Sequence, residues 1–143
     1  MIGKLLFITQ VITLILCFLP LRFIIPTPVT LLFFSAASAL GLWVLLHNRL
    51  GNWSVLPAPK LNAKIITSGP YQFMRHPMYT SMILGTLAGV FHNQSIQAFV
   101  AWLSLIIILN LKARYEERLL LIRFSDYQAY LNTVKTRFFP SLF

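Results

Sequence analysis

The chain has 143 residues, of which 57% are hydrophobic and 10% are charged, and its mean hydropathy is +0.74. An ordinary soluble domain carries about 25% charged residues, so this composition excludes one and predicts a membrane protein. Twelve lysines and arginines against three acids give a net charge of +9, which in a membrane protein predicts contact with anionic lipid rather than nucleic acid.

Four apolar blocks predict an all-α integral membrane bundle of about four transmembrane helices, since each crossing needs about 20 apolar residues. The blocks run over about 5–25, 29–46, 78–91 and 96–111. The first is too long for a cleaved signal peptide and lacks a small-residue cleavage site, so we interpret it as a span that bends at Pro20. Pro77 is expected to open the third helix, because proline suits the first helical position.

The polar segments predict the topology. Prolines and glycines interrupt residues 48–77, which predicts a loop, and residues 112–143 carry apolar residues at near-helical spacing among charges. We expect this tail to form an amphipathic helix that continues out of the fourth span. Lysines and arginines concentrate in the loop and the tail, which places both, together with both termini, in the cytoplasm. We predict one membrane-embedded domain over 1–143, with two spans in 1–47 and a helical hairpin in 78–111, in the inner membrane if the source is bacterial.

Two groups of chemistry-bearing residues fall on the cytoplasmic side. Arg75 and His76 lie at the mouth of the predicted third helix, whose unpaired N–H groups would attract a carboxylate or phosphate. Glu116 and Glu117 lie where the fourth span leaves the membrane. Each group has a simpler interpretation: the first could anchor a span at the headgroups, and the glutamates could pair along their helix with basic residues three and four positions earlier.

Several common chemistries have no motif here. Cys17 is the single cysteine, and His47 and His92 fall at opposite membrane edges without a ligand-spaced partner, so no metal site is predicted. There is no phosphate-cradling glycine loop and no dinucleotide-binding fingerprint. Gly85 and Gly89 form a G-x-x-x-G pattern, which predicts close helix packing.

The two groups, in this order, resemble a known family. The run GPYQFMRHPMY at 69–79 is followed about one helical hairpin later by Glu116 and Glu117, and then by a closing RFFP at 137–140. Together they resemble the isoprenylcysteine carboxyl methyltransferase family, which is related to the membrane phospholipid N-methyltransferases. The resemblance covers about 64–140. It implies an S-adenosylmethionine-dependent methyltransferase with its cofactor at the cytoplasmic edge, acting on a lipidic or prenylated acceptor by carboxylate O-methylation or amine N-methylation.

The resemblance also implies roles for individual residues. Arg75, Glu116 and Glu117 are the implied catalytic residues, and Arg75 would hold either the cofactor carboxylate or a substrate phosphate. Lys112 is the implied contact of the acceptor. The implied cofactor contacts are Glu116 and a set around the third helix: Lys64, Ile65, Ile66, Tyr71, His76, Pro77, Met78 and Tyr79.

Two other functions stay open at the level of the sequence. A small four-span transporter suits the length, although such carriers usually place an ionisable residue mid-membrane and no predicted span interior has one. A catalytically silent family member could act as a membrane scaffold through its basic tail. The acceptor, the oligomeric state, and whether the acceptor site is complete without the fifth span of some family members are also open.

Overall fold

The structure is a computed structural model that describes residues 2–19, 25–48 and 65–139. Within these ranges it contains five α-helices, one short 3₁₀ helix at Gly69–Gln72, and no strand. This confirms the all-helical part of the predicted fold. The α-helices are α1 (Ile2–Phe18), α2 (Pro28–His47), α3 (Pro77–Asn93), α4 (Ile96–Arg123) and α5 (Tyr127–Thr133).

Two of these helices, α2 and α4, are long and apolar enough to cross a membrane, and α1 is a shorter apolar helix. Their outer faces expose large apolar side chains; for example, Leu32 is 66% exposed, Leu46 79% and Ile107 62%. Such apolar surfaces are stable in contact with lipid and unfavourable in contact with water. The helices therefore indicate a membrane protein, and the count of four spans stays a prediction.

Helix α1 ends earlier than the sequence predicts. The first span is expected to reach about Ile25, but α1 stops at Phe18 and Leu19 is not helical. The physical reason is the following proline, because the residue before a proline is disfavoured in the α conformation. The predicted bend at Pro20 lies outside the described residues, as do positions 49–64 of the predicted 48–77 loop.

The tail also departs from the predicted single helix. Helix α4 does continue without a break from its apolar half into the charged half, but it ends at Arg123, and residues 124–126 separate it from α5. Ser125 donates a hydrogen bond to Asp126 across this break, at 3.2 Å. Short polar side chains of this kind compete with the helical backbone, which accounts for the interruption.

The start of α3 agrees with the proline signal. Pro77 is the first helical residue and His76 is its N-cap. Ahead of it, Gly69 has φ +61°, and a Cβ added there would lie 2.7 Å from the ring of His47. Glycine is therefore required where the 3₁₀ helix begins beneath the end of α2.

Close packing of helices holds α3 in place. Helix α2 packs against α3, and α1 packs against α4. A Cβ added to Gly85 would lie 3.5 Å from Ala37 of α2, and one added to Gly89 would lie 3.0 Å from the Phe18 ring of α1. The two glycines of the G-x-x-x-G pattern thus bring α3 against two different neighbours. The main apolar core, between α1, α3 and α4, includes Leu105.

Candidate active site at the mouth of helix α3

A short segment near the end of the chain crosses the mouth of α3; we call residues 134–139 the strap. The Arg75 N–H donates to the carbonyl of Thr136 at 3.0 Å, and the His76 N–H donates to the carbonyl of Arg137 at 2.9 Å. The hydroxyl of Thr80 donates to the carbonyl of Phe138 at 2.6 Å. Two of these bonds satisfy the backbone donors of the residues directly before α3, and all three fix the strap over the mouth of the helix.

Glu117 lies at the centre of this arrangement, with a side chain that is 8% exposed. Arg137 donates from Nε to both of its carboxylate oxygens, at 3.2 and 3.1 Å, and Nη2 of the same guanidinium lies 3.0 Å from Oε2. His76 Nε2 and Arg75 Nε each lie 3.3 Å from Oε1. One buried carboxylate therefore organises three basic groups, two from the residues directly before α3 and one from the strap.

Arg75 has one buried nitrogen without a hydrogen bond among the described residues. Its Nη2 donates to the carbonyl of Lys135 at 3.1 Å. Its Nε is buried and lies at ion-pair distance from Glu117, but no described acceptor makes a hydrogen bond of acceptable geometry with it. A buried donor of this kind costs free energy unless a ligand satisfies it.

Glu116 faces a different set of groups. The hydroxyl of Tyr79 donates to its Oε1 at 2.6 Å, whereas its Oε2 is 3.7 Å from His76 Nδ1. The rings of His76 and Tyr79 stack with their centroids 5.2 Å apart and their planes 6° apart. The Glu116 side chain is 19% exposed, and its Oε2 lies next to the stacked rings with its nearest basic group 3.7 Å away.

Lys112 points into the bundle instead of along α4. It is 5% exposed, and its Nζ donates to Oε1 of Gln10 on α1 at 2.7 Å. The expected alternative, in which the two glutamates pair along the helix, is wrong. Lys112 lies beyond 4.0 Å from all three acidic side chains. Glu117 pairs with Arg75, His76 and Arg137 rather than with Arg114.

Tyr71 lies next to this centre. Tyr130 of α5 donates its hydroxyl to the Tyr71 carbonyl at 2.7 Å, and Asn48 donates to the Tyr71 hydroxyl at 3.4 Å. Burial, reinforced by the charge of Glu116, raises the pKa of Tyr71 to about 12. Burial, reinforced by neighbouring tyrosines, also raises the pKa of Tyr130. Both phenols are therefore neutral donors at physiological pH.

The other predicted cofactor contacts are spread more widely. Pro77 is buried in the first turn of α3. Ile65 packs against the cluster of Tyr127, Tyr130 and Val134, and Ile66 is partly buried beside it in the chain. Met78 faces α2 and lines an apolar groove, so it does not belong to the polar cluster. Lys64 lies outside the described residues.

Two residues of the arrangement, Gln10 and Arg137, were not predicted from the sequence as site residues. Gln10 is a lone long polar residue in an apolar helix, a signal that it needs a partner. Arg137 belongs to the quoted RFFP run, but its pairing with Glu117 is not visible in the spacing. Arg75, His76, Tyr79 and both glutamates do lie together, whereas their catalytic and cofactor-binding roles stay predictions.

This arrangement belongs to a membrane protein that is all-helical over the described residues, and its polar cluster lies where α3 begins, against the charged half of α4. The phospholipid methyltransferase family profile matches residues 29–126, more than half of the chain. The chain therefore belongs to the phospholipid methyltransferase family, the membrane methyltransferase family that contains the isoprenylcysteine carboxyl methyltransferases and the phospholipid N-methyltransferases. The predicted resemblance is confirmed. No curated protein matches the chain significantly in sequence.

Proposed function

We propose that this protein is an S-adenosylmethionine-dependent methyltransferase that methylates a lipidic or prenylated acceptor at the cytoplasmic face of the membrane, with both termini on that side. The observation that carries the proposal is the convergence of Arg75, His76 and Tyr79 with the two glutamates at the mouth of α3: Arg75 contacts Glu117, and His76 and Tyr79 contact Glu116. Family membership supports the reaction class.

The residues fit the charges of the cofactor. S-adenosylmethionine carries a carboxylate, an ammonium and a sulfonium, so its site needs a donor and an acid close together. Arg75 Nε is a buried donor without a described hydrogen bond, and Glu116 has an oxygen whose nearest basic partner is 3.7 Å away. The rings of His76 and Tyr79 stack on each other and are largely buried, so a nucleoside would contact the edges of this pair. Arg75 would hold the carboxylate, and Glu116 would face the cationic end.

The protein's contribution is mainly positioning. When bound, the cofactor supplies an electrophilic methyl group on sulfur. Glu117 fixes Arg75 and His76, so that both are oriented before a ligand arrives. The strap covers the start of α3 and fixes its position, and fixed groups favour a displacement that needs its reacting atoms in line. A carboxylate acceptor would attack as an anion, whereas an amine acceptor must first lose a proton, which His76 or a glutamate could take.

An apolar groove supports a lipidic acceptor. It has a volume of about 420 Å³ and lies between α2 and α3, lined among others by Leu42, Leu45, Met78 and Gly85. Met78 is in the first turn of α3, so one end of the groove lies beside the polar cluster. An acceptor with a long apolar chain could lie there with its polar end at the mouth of α3.

Titration of the purified protein in neutral detergent with S-adenosylmethionine tests the proposal. We expect saturable binding to the unchanged protein, and at least about tenfold weaker binding in Glu116→Ala and His76→Ala, because each loses a polar contact to a charged ligand. The matched control is Asp126→Ala, which removes an exposed acid on the tail. Undiminished affinity in both site variants, at unchanged melting temperature, would contradict the proposal.

Incubation with methyl-labelled cofactor and a total membrane extract then identifies the acceptor. A labelled lipid or prenylated product is expected. Absence of both cofactor binding and label would favour the silent scaffold instead.

A further inference from the structure

Gln10 is a buried polar residue in the apolar helix α1. It is 4% exposed, and its amide is held at both ends. Nε2 donates to Sδ of Met82 on α3 at 3.3 Å, and Oε1 accepts from Lys112 on α4 at 2.7 Å. The contact with Met82 orients the amide so that its oxygen faces the lysine.

The partners of Lys112 are all uncharged. Its ammonium lies 5.3 Å from the ring centroid of Tyr79 and 5.7 Å from that of Phe7, in addition to the amide oxygen of Gln10. Glu116, one turn further along α4, is the acid whose charge reaches it, but beyond 4.0 Å. An ammonium carries three N–H donors, and among the described residues Gln10 takes one of them.

This differs from the guanidinium groups of the cluster. Arg75 and Arg137 each contact the carboxylate of Glu117, which compensates their charge. Lys112 is held by a neutral oxygen and aromatic faces and has no carboxylate of the described residues in contact, so more of its charge is available to a ligand than in these guanidinium groups. Burial also strengthens its attraction to an anion, because the surrounding dielectric constant is low.

We propose that Gln10 is a positioning residue of this site: it holds the Lys112 ammonium beside Tyr79 through an uncharged oxygen, so that the cation binds an anionic group of the methyl acceptor. This inference rests on the proposed function and narrows its acceptor class. Such a site favours a carboxylate or another anionic head over a cationic ammonium, because a like charge would be repelled.

The test compares two glutamine-to-glutamate variants that change the net charge equally. Gln10→Glu keeps the shape and the contact with Lys112 but neutralises the cation. Gln128→Glu, on the exposed surface of α5, adds the same charge away from Lys112. The probes are hexadecyl sulfonate and hexadecyltrimethylammonium, which share a chain and hold fixed opposite charges, titrated into the purified full chain in neutral detergent.

We expect Gln10→Glu to bind the sulfonate at least about tenfold more weakly than the unchanged protein, the equivalent of one charge-assisted hydrogen bond. Gln128→Glu should bind it as the unchanged protein does, and neither variant should weaken binding of the ammonium probe. If Gln10 only held the helices together, glutamate would keep the contact with Lys112 and the affinity for the sulfonate would not fall. Equal sulfonate affinity in the two glutamate variants would overturn the proposal.

Lys112→Met gives a second measurement, should Gln10→Glu fail to fold. This variant should lose the preference for the sulfonate over the ammonium probe to the same extent as Gln10→Glu. If it retained that preference, the proposal would also be overturned. The titration requires no cofactor. Failure of the unchanged protein to bind S-adenosylmethionine would therefore refute the proposed function separately, without deciding the sulfonate result.

Discussion

Replacing Glu117 by glutamine should destabilise the fold more than any other single change of an acid. The substitution keeps the side-chain shape but removes the charge that Arg75 and Arg137 share. Removing one partner of a buried ion pair costs about 3–5 kcal/mol. The Arg137 side chain is 31% exposed and partly screened by solvent, whereas those of Arg75 and Glu117 are 11% and 8% exposed. We therefore expect the lower end of this range, about 3 kcal/mol.

The assay is thermal unfolding of the purified protein in neutral detergent, followed by circular dichroism. For a chain of this size 1 kcal/mol corresponds to about 4 °C, so the melting temperature of Glu117→Gln should fall by about 12 °C. Asp126→Asn, which neutralises an exposed acid, should change it by less than about 2 °C. A melting temperature of Glu117→Gln within 3 °C of the unchanged protein, on the same scale, would refute the assignment of Glu117 as the organising carboxylate.

Three further predictions follow from individual contacts. Tyr79→Phe keeps the ring but loses the 2.6 Å hydrogen bond to Glu116, so cofactor affinity measured by calorimetry should fall roughly tenfold. An unchanged affinity would show that Glu116 does not contact the cofactor. Gly89→Ala places a Cβ 3.0 Å from a phenylalanine ring of α1 and should cost about 1–3 kcal/mol in thermal unfolding, whereas Gly85→Ala makes an ordinary 3.5 Å contact and should be near neutral; equal effects would contradict the packing. Burial raises the pKa of the Tyr71 phenol to about 12, so the stability that this buried phenol contributes is complete below about pH 10 and is lost as the pH rises through 12. Between about pH 10 and 12 the melting temperature of Tyr71→Phe should therefore fall less steeply than that of the unchanged protein. Parallel curves would contradict burial of the phenol.

Local signals predicted much of the fold. Pro77 predicted the start of α3, because proline fits the first helical position whatever the rest of the chain does. The apolar run from Ile96 predicted α4, whose uninterrupted passage into charged sequence also agrees with the helical spacing there. The break before α5 was not predictable in the same way. It depends on Ser125 and Asp126, polar residues that helices often tolerate.

The sequence predicted which residues lie in the site better than it predicted which of them contact each other. Adjacency to a helix mouth and to a membrane edge was enough to select Arg75, His76 and the two glutamates. Spacing along α4 favoured pairs three and four residues apart, each worth about 0.3 kcal/mol. Buried contacts between distant parts of the chain override so small a preference, which is why Lys112 pairs with Gln10, 102 positions away in the sequence.

Photochemical cross-linking tests the central claim most directly, because it reports where the cofactor lies rather than whether a variant is active. Methyl-labelled S-adenosylmethionine is irradiated with the purified protein, and labelled peptides are identified by mass spectrometry. We expect label on peptides spanning 71–79 and 112–118, and we expect it to disappear with excess unlabelled cofactor. Label confined to α1 or α2, or label that excess cofactor does not displace, would contradict the central claim.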